Sequence, residues 1–466
     1  TEHKAVYNMA ELTDVALPYP EADAKNLFVR DDKKRNYYLI TVRGDKRVDL
    51  KEFRHRYGTR ALSFASENDL MQVLGLIPGA VTPLGVGAEK FWKGLLAGEC
   101  GIGEITQIDA SELPVRRAGE VRDFKPKEHM PTRLALDLEP YARYAYAAAA
   151  EAWAQSALTG SDRVAIVMAT ALHGFAVIAK NQTAMDMHHR PSDPKLLTRC
   201  MGNIAAASFA IEHRITGPSL TVSTACSSGG DAVYLARMLL RSGAADAVLV
   251  MAGEAAVSPA LIRSLALVQA LSPTGESLPF DIHRNGFVLG EGGGALVLER
   301  ADSAAQRGAK PLASLLGCAN NNDAYHTVSP EPDGAGAAAC MRLALADAGL
   351  VPEDIGYLNA HGTATEKGDT AEAAAIGSVF GAYPVPVSST KGATGHMMGA
   401  GGITELIACV QAVRTGLCPP NLGLTEPDPA CPLNLIRGGE GTRTIRAAMS
   451  NAMGFGGQNS CVIVGQ

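Results

Sequence analysis

From residue 86 onward, apolar runs of strand length alternate with helix-periodic blocks, and this alternation limits the fold more than any other feature of the chain. Arg163-Val-Ala-Ile-Val-Met168 and Ala245-Asp-Ala-Val-Leu-Val-Met-Ala-Gly253 are almost continuously apolar. Such runs read as strands covered on both faces, as parallel sheets require. Tyr141–Gln155 spells an Ala-rich helix able to pack closely on its neighbours, Cys200–Ile211 a second helix, and Ala295–Arg300 a further strand. Near Lys310 the pattern restarts: a strand at Lys310–Cys318, a helix at Ala335–Ala348, a strand at Ile355–Ala360, a helix at Gly401–Val413 and a strand at Cys461–Val464. Strands alternating with helices predict parallel sheets with helical crossovers, and two similar halves predict an αβαβα sandwich in the α/β class.

Hydrophobic residues make up 47% of the 466 positions and 49 are glycine, which describes a large core with many tight turns. A net charge of -6 gives no basic excess, so neither nucleic acid nor an anionic membrane is expected as a bulk partner of the main domain. The nine cysteines are scattered, without C-x-x-C or other metal spacing, which predicts reduced thiols, a cytoplasmic setting and no metal site. There is no signal-peptide pattern at Thr1 and no apolar run of membrane-spanning length.

Three motifs carry chemistry. Thr221-Val-Ser-Thr-Ala-Cys226-Ser-Ser-Gly-Gly230 runs from β-branched residues into the helical period of Asp231–Leu240, which puts Cys226 on a tight strand-to-helix turn. The N–H groups and positive dipole end of that helix favour thiolate over thiol and predict a nucleophile. Asn359-Ala-His361-Gly-Thr-Ala-Thr-Glu-Lys-Gly-Asp369 sets a histidine at the end of an apolar strand. Ser388-Ser-Thr-Lys391-Gly-Ala-Thr-Gly-His396 sets a second in a glycine-rich loop that opens a helix. One cysteine answered by two loop-borne histidines is a reactive constellation.

Residues 80 to 466 resemble a β-ketoacyl-[acyl carrier protein] synthase of the elongating, Cys-His-His kind. The matching stretches are Ala225-Cys-Ser-Ser228, Pro279-Phe-Asp281 through Gly292, Asp323-Ala-Tyr-His326, His361-Gly-Thr363, Lys391 with Gly395-His396, and Gly454-Phe-Gly-Gly-Gln-Asn459. The resemblance implies a thiolase-like sandwich and decarboxylative Claisen condensation in fatty-acid or polyketide synthesis. It further implies no cofactor, and an acyl carrier protein as partner, bearing phosphopantetheine-linked acyl and malonyl groups. Cys226 is then the nucleophile, and His361 and His396 donate hydrogen bonds to the thioester oxygen of the malonyl group. The N–H groups of Cys226 and Phe455 hold the oxyanion, Phe455 gates acyl entry, and Lys391 supports the site in partnership with Glu405. Thr363 and Thr365 are placed to bond the pantetheine arm. The family pairs protomers, which implies a homodimer or a heterodimer with a ketosynthase-like partner, and the pairing strand is expected at Ala245–Gly253. Met185, Met187, His188 and His189 fall in the part of the family that helps to line the acyl pocket near a partner, with ordinary methionine packing an equal reading.

Residues 1 to about 85 differ in style. Lys25–Asp31 and Tyr37–Arg43, joined by the charged turn Asp32–Asn36, predict a β-hairpin, and 44–56 a turn leading into a helix. Lys25-Asn-Leu-Phe28, Gly44-Asp-Lys-Arg47, Leu62-Ser-Phe-Ala65 and Leu74-Gly-Leu-Ile-Pro-Gly79 resemble the start of the YbaK/prolyl-tRNA editing deacylase family. In that family a lysine at the place of Lys25 and a G-x-x-P-G loop serve the aminoacyl ester of a tRNA end. The likeness stops near Gly85, so a partial segment at 1–79 is expected, followed by ketosynthase halves at 80–309 and 310–466. The competing reading of function is an editing deacylase or a binding appendage built on that segment. Val73-Leu-Gly-Leu-Ile77 stands where a ketosynthase has its first strand and is expected to replace it.

Overall fold

The computed structural model describes residues 24–31, 37–43, 62–64, 78–439 and 441–466. The chain divides into two compact units, Thr1–Leu76 and Ile77–Gln466. In the first, β1 (Ala24–Asp31) pairs antiparallel with β2 (Tyr37–Arg43), Lys25 standing opposite Val42, and with β3 (Leu62–Phe64) on its other edge. The hairpin expected from the sequence is present. The helix expected over 44–56 and the replacement strand over 73–77 lie outside the described residues.

The second unit holds two six-stranded sheets. The first is built from β4 (Gly79–Thr82), β5 (Gly85–Val86), β8 (Val164–Ala169), β9 (Ser219–Val222), β10 (Ala247–Glu254) and β11 (Gly292–Glu299), in the order β5-β4-β11-β10-β8-β9. A ribbon of β6 (Ile102–Glu104) and β7 (Arg117–Gly119) stands apart. The second sheet uses β12 (Ser314–Asn322), β13 (Ile355–Asn359), β14 (Pro386–Ser388), β15 (Asn434–Leu435), β16 (Ala447–Gly454) and β17 (Gln458–Gly465), in the order β12-β17-β16-β13-β14-β15. Five strands of each sheet repeat one order and one set of directions. β10, β8 and β9 are mutually parallel, as are β16, β13 and β14. The other two of these five in each sheet, β11 with β4 and β17 with β12, run antiparallel.

The two expected halves are therefore real, but the sheets are mixed and not parallel. An apolar run shows that a strand is buried and says nothing of its direction. Antiparallel neighbours such as β16 and β17 need only a tight turn and no helical crossover. A second expectation is corrected as well. The strand after the nucleophile helix, β10, lies inside its sheet between β8 and β11 with every residue buried, so it has no edge to offer a second protomer. One edge is β9, three of whose four residues are exposed, and the other is the two-residue β5.

Six helices build the layers: α1 (Pro140–Ser156), α2 (Phe175–His188), α3 (Ser228–Arg241), α4 (Ala335–Ala348), α5 (Glu366–Phe380) and α6 (Met398–Thr415). α1 covers the outer face of the first sheet, α3 and α6 lie between the sheets, and α4 covers the second sheet from outside with α5 beside it, giving the αβαβα sandwich. α1 sits close because it is Ala-rich. Ala142, Ala145, Ala148 and Ala149 are wholly buried, and a Cβ at Gly79, Gly253 or Gly293 below would run into its backbone. The central helices also meet through glycine. A Cβ at Gly229 would lie 2.8 Å from the Ile403 nitrogen and one at Gly402 2.9 Å from that of Gly230, so the first turn of α3 and the second turn of α6 touch backbone to backbone. That contact sets the distance between whatever stands at the two helix heads.

Candidate active site

At the head of α3 stands Cys226. β9 ends at Val222, and the chain reaches the helix through Ala225 in the left-handed region (φ 52°), a conformation that costs an alanine about 1 kcal/mol or more. Hydrogen bonds hold the turn. Ser227 and Ser228 N–H donate to the carbonyls of Thr224 (3.1 Å) and Ala225 (3.2 Å), and Thr224 Oγ1 donates to Asp231 in the first turn of α3 (2.6 Å).

At the head of α6 stands His396. Its N–H donates to Val288 O (2.7 Å), its carbonyl accepts from Gly290 (2.9 Å), and the Phe287 ring meets the imidazole edge-on at 5.3 Å. His396 Nε2 lies 3.0 Å from Cys226 Sγ. His361 follows β13, where both oxygens of Glu372 fix the backbone by accepting the N–H of His361 (2.8 Å) and Gly362 (2.7 Å). The two imidazoles stand nearly perpendicular with centroids 5.3 Å apart. Lys391 and Glu405 form a buried ion pair behind them.

Burial pushes both histidines well below their usual range, with the positive charge of Lys391 adding to it, so they are neutral imidazoles at pH 7. Burial also pushes the Cys226 thiol up to about 12, helped by Glu254 and Glu405 and opposed by Lys391 and the Phe455 N–H that bonds the sulfur. Burial therefore acts against the helix terminus expected to favour the thiolate, and it favours a thiol beside a neutral imidazole.

A cavity of about 500 Å3 leads to this pair. Cys226, His361, His396, Thr363, Thr365 and Phe455 all border it, while Lys391 and Glu405 lie behind. Thr363 and Thr365 stand with hydroxyl oxygens 3.1 Å apart. Phe455, 38% exposed, occupies the turn between β16 and β17, and Gly456 (φ 85°) and Gly457 (φ 74°) adopt backbone that favours glycine. Met185, Met187, His188 and His189 lie at the end of α2, largely exposed, and do not border this cavity.

Several residues around the site have roles that the sequence reading did not assign. Asp369 accepts the N–H of Phe280 (2.8 Å) and Ala364 (3.0 Å), holding the loop that carries Thr363. Arg284, in the loop after Phe280, donates to Thr370 Oγ1 on α5 (2.8 Å) and pairs with Asp428 (2.5 Å). Asp369 and Glu372 stand three apart, on one face of α5. Two acids inside an otherwise Ala-rich stretch were the available signal. Among the described residues no helix is long and apolar enough to cross a membrane, no group of three or more His, Cys, Asp or Glu is arranged to hold a metal ion, and all nine cysteines are free.

A duplicated α/β sandwich whose central helix heads bring a cysteine onto one of two neutral histidines defines a thiolase-like enzyme. Residues 74–304 match the family model for the N-terminal domain of β-ketoacyl synthases and residues 312–425 the model for their C-terminal domain, while residues 3–95 match the aminoacyl-tRNA editing domain. The 3-oxoacyl-[acyl-carrier-protein] synthase 2 of Synechocystis is 37% identical over 405 residues, covering 84% of this chain and 97% of that protein. The chloroplastic 3-oxoacyl-[acyl-carrier-protein] synthase II of Arabidopsis thaliana is 35% identical, covering 83% and 74%. Among solved structures, the ishigamide ketosynthase/chain length factor is 33% identical, covering 84% of this chain and 98% of that one, with a TM-score of 0.79. A type II polyketide ketosynthase, AntDE, bound to the hexaketide and in complex with its acyl-carrier protein AntF in the apo form, is 29% identical over the same shares, with a TM-score of 0.75. The chain belongs to the β-ketoacyl synthase family, acyltransferases that form carbon–carbon bonds.

Proposed function

We propose that this chain condenses an acyl group held on Cys226 with malonyl-[acyl carrier protein], with His361 and His396 as the catalytic pair. The observation that carries the reading is Cys226 Sγ 3.0 Å from His396 Nε2 at the end of the cavity. In the first half-reaction Sγ attacks the thioester carbonyl of the acyl carrier while its proton passes to His396. The N–H groups of Cys226 and Phe455 take up the oxyanion, and the carrier thiol leaves with that proton. In the second, neutral His361 and His396 donate hydrogen bonds to the malonyl thioester oxygen. The bond to the carboxylate breaks and carbon dioxide leaves. The carbanion attacks the acyl carbonyl, the S–C bond to Cys226 breaks, and the thiolate takes up from solvent, through His396, the one proton that the overall reaction consumes. A neutral imidazole suits this step because it donates without adding a charge that must be desolvated.

Lys391 and Glu405 orient the histidines, Thr363 and Thr365 bind the pantetheine arm, and Phe455 gates the cavity. The acyl carrier is the partner for both half-reactions. A second copy or a ketosynthase-like chain extends the first sheet along β9, where Leu220 is 43% exposed. The domains run over 1–79, 80–309 and 310–466, the first a partial editing-domain segment, and free thiols support a cytoplasmic setting. The test is malonyl-carrier decarboxylation and acyl transfer by the purified chain beside Cys226→Ala and His396→Ala. The wild type condenses, Cys226→Ala is not acylated, and His396→Ala loses decarboxylation. A folded wild type without either activity sinks the reading, and aminoacyl-tRNA hydrolysis lost with Lys25→Ala would replace it.

A further inference from the structure

Glu254 closes β10 and is wholly buried, yet the reaction outlined above gives it nothing to do. Its carboxyl accepts the N–H of Ala171 (2.7 Å), Leu172 (3.2 Å) and Gly399 (3.2 Å) and the hydroxyl of Thr170 (3.4 Å). It thus fastens the loop after β8 to the first turn of α6. The approach is close: a Cβ at Gly399 would lie 2.6 Å from the Ala171 nitrogen and 3.0 Å from Glu254 Oε2.

Gly399 follows Met398, whose φ of 46° is left-handed, a conformation that costs a side-chain-bearing residue about 1–2 kcal/mol. Something must hold it there. Met398 Sδ lies 4.0 Å from Cys226 Sγ, and its side chain belongs to an apolar cluster with Leu261, Leu265, Phe287 and Leu289, against which Cys226 packs. His396 does not depend on the same fastening, because Val288 and Gly290 hold its backbone. Loss of the Glu254 carboxylate therefore releases Met398 while leaving the histidine in place.

We propose that Glu254 is a positioning residue that acts through Met398: it locks the Met398–Gly399 turn and so fixes the apolar wall along which the acyl chain on Cys226 lies. The proposal rests on the ketosynthase reading. Glutamine at 254 offers one acceptor oxygen where the carboxylate has two, and its NH2 faces other donors. Glu254→Gln lowers acyl transfer to Cys226, read by intact mass, and condensation by about tenfold or more. Malonyl-carrier decarboxylation, which needs the two histidines, stays within about twofold. A residue that merely supports the fold lowers both together. In a Met398→Gly background glycine takes the left-handed turn unaided, and Glu254→Gln then costs less than about threefold further. The proposal is overturned by wild-type acylation in Glu254→Gln, by parallel loss of both activities, or by an undiminished effect beside Met398→Gly. Should Glu254→Gln not fold, Glu254→Asp, one methylene shorter, carries the same comparison. A wild type that decarboxylates and condenses nothing sinks the ketosynthase reading and this proposal with it.

Discussion

The two halves of the second unit share a strand order and differ in what they mount on it. In the first, the parallel third strand β9 leads through Cys226 into α3; in the second, the corresponding β14 leads through His396 into α6. The loop after the second strand is tied in both halves by one carboxylate accepting two successive N–H groups, Glu254 at Ala171 and Leu172, Glu372 at His361 and Gly362. One backbone scaffold has thus been used twice. The first copy holds the sulfur and the second the imidazoles, so the proposed chemistry draws on both halves. The halves also differ in cover. β14 has β15 on its far side and is buried, whereas β9 ends the first sheet, and α6 is buried on every side where α3 is buried mainly along its first half.

Removing what each half contributes tests this division most strongly. Cys226→Ala abolishes formation of the acyl-enzyme, with condensation down by about three orders of magnitude or more by steady-state assay. His361→Ala and His396→Ala each lower malonyl-carrier decarboxylation by about 10²–10⁴-fold, and a variant that kept the wild-type rate would remove the second half from the chemistry. Lys391→Ala leaves Glu405 as a buried unpaired charge and destabilises the unit by about 3–5 kcal/mol, seen as a lower melting temperature. Replacing both partners with apolar residues recovers most of that loss.

The charge state of the nucleophile offers a finer comparison. With the thiol raised to about 12, the thiolate fraction of the empty enzyme grows with pH, so iodoacetamide labelling of Cys226 rises about tenfold per unit through the alkaline range. A plateau reached below pH 7 would show a standing thiolate–imidazolium pair instead. Smallest of all, Ala225→Gly removes left-handed strain but loosens the unfolded chain. The two effects offset, and stability moves by less than about 1 kcal/mol.

Much of this arrangement was legible in the sequence, because α4 spans the same residues as its predicted helix and the two histidine motifs fall at the ends of the strand and loop expected of them. The sequence could not show strand direction, since burial on both faces reads alike for parallel and antiparallel neighbours. It also hid Glu254, whose partners are backbone N–H groups of distant segments and leave no mark on residue identity. The burial that opposes the thiolate was hidden for a related reason. A helix terminus is a local feature visible in the sequence, but desolvation depends on Met398, Phe455 and the second sheet closing over Cys226.

Both carriers reach the site through the cavity that Phe455 borders, the acyl carrier to bring its thioester carbon to Cys226 and the malonyl carrier to bring its thioester oxygen to His361 and His396 beside it. Two pantetheine arms cannot occupy that cavity together, so the acyl carrier must depart before the malonyl carrier arrives. The kinetic consequence is a ping-pong pattern: parallel lines in double-reciprocal plots, with excess malonyl carrier competing against the acyl carrier for the free enzyme.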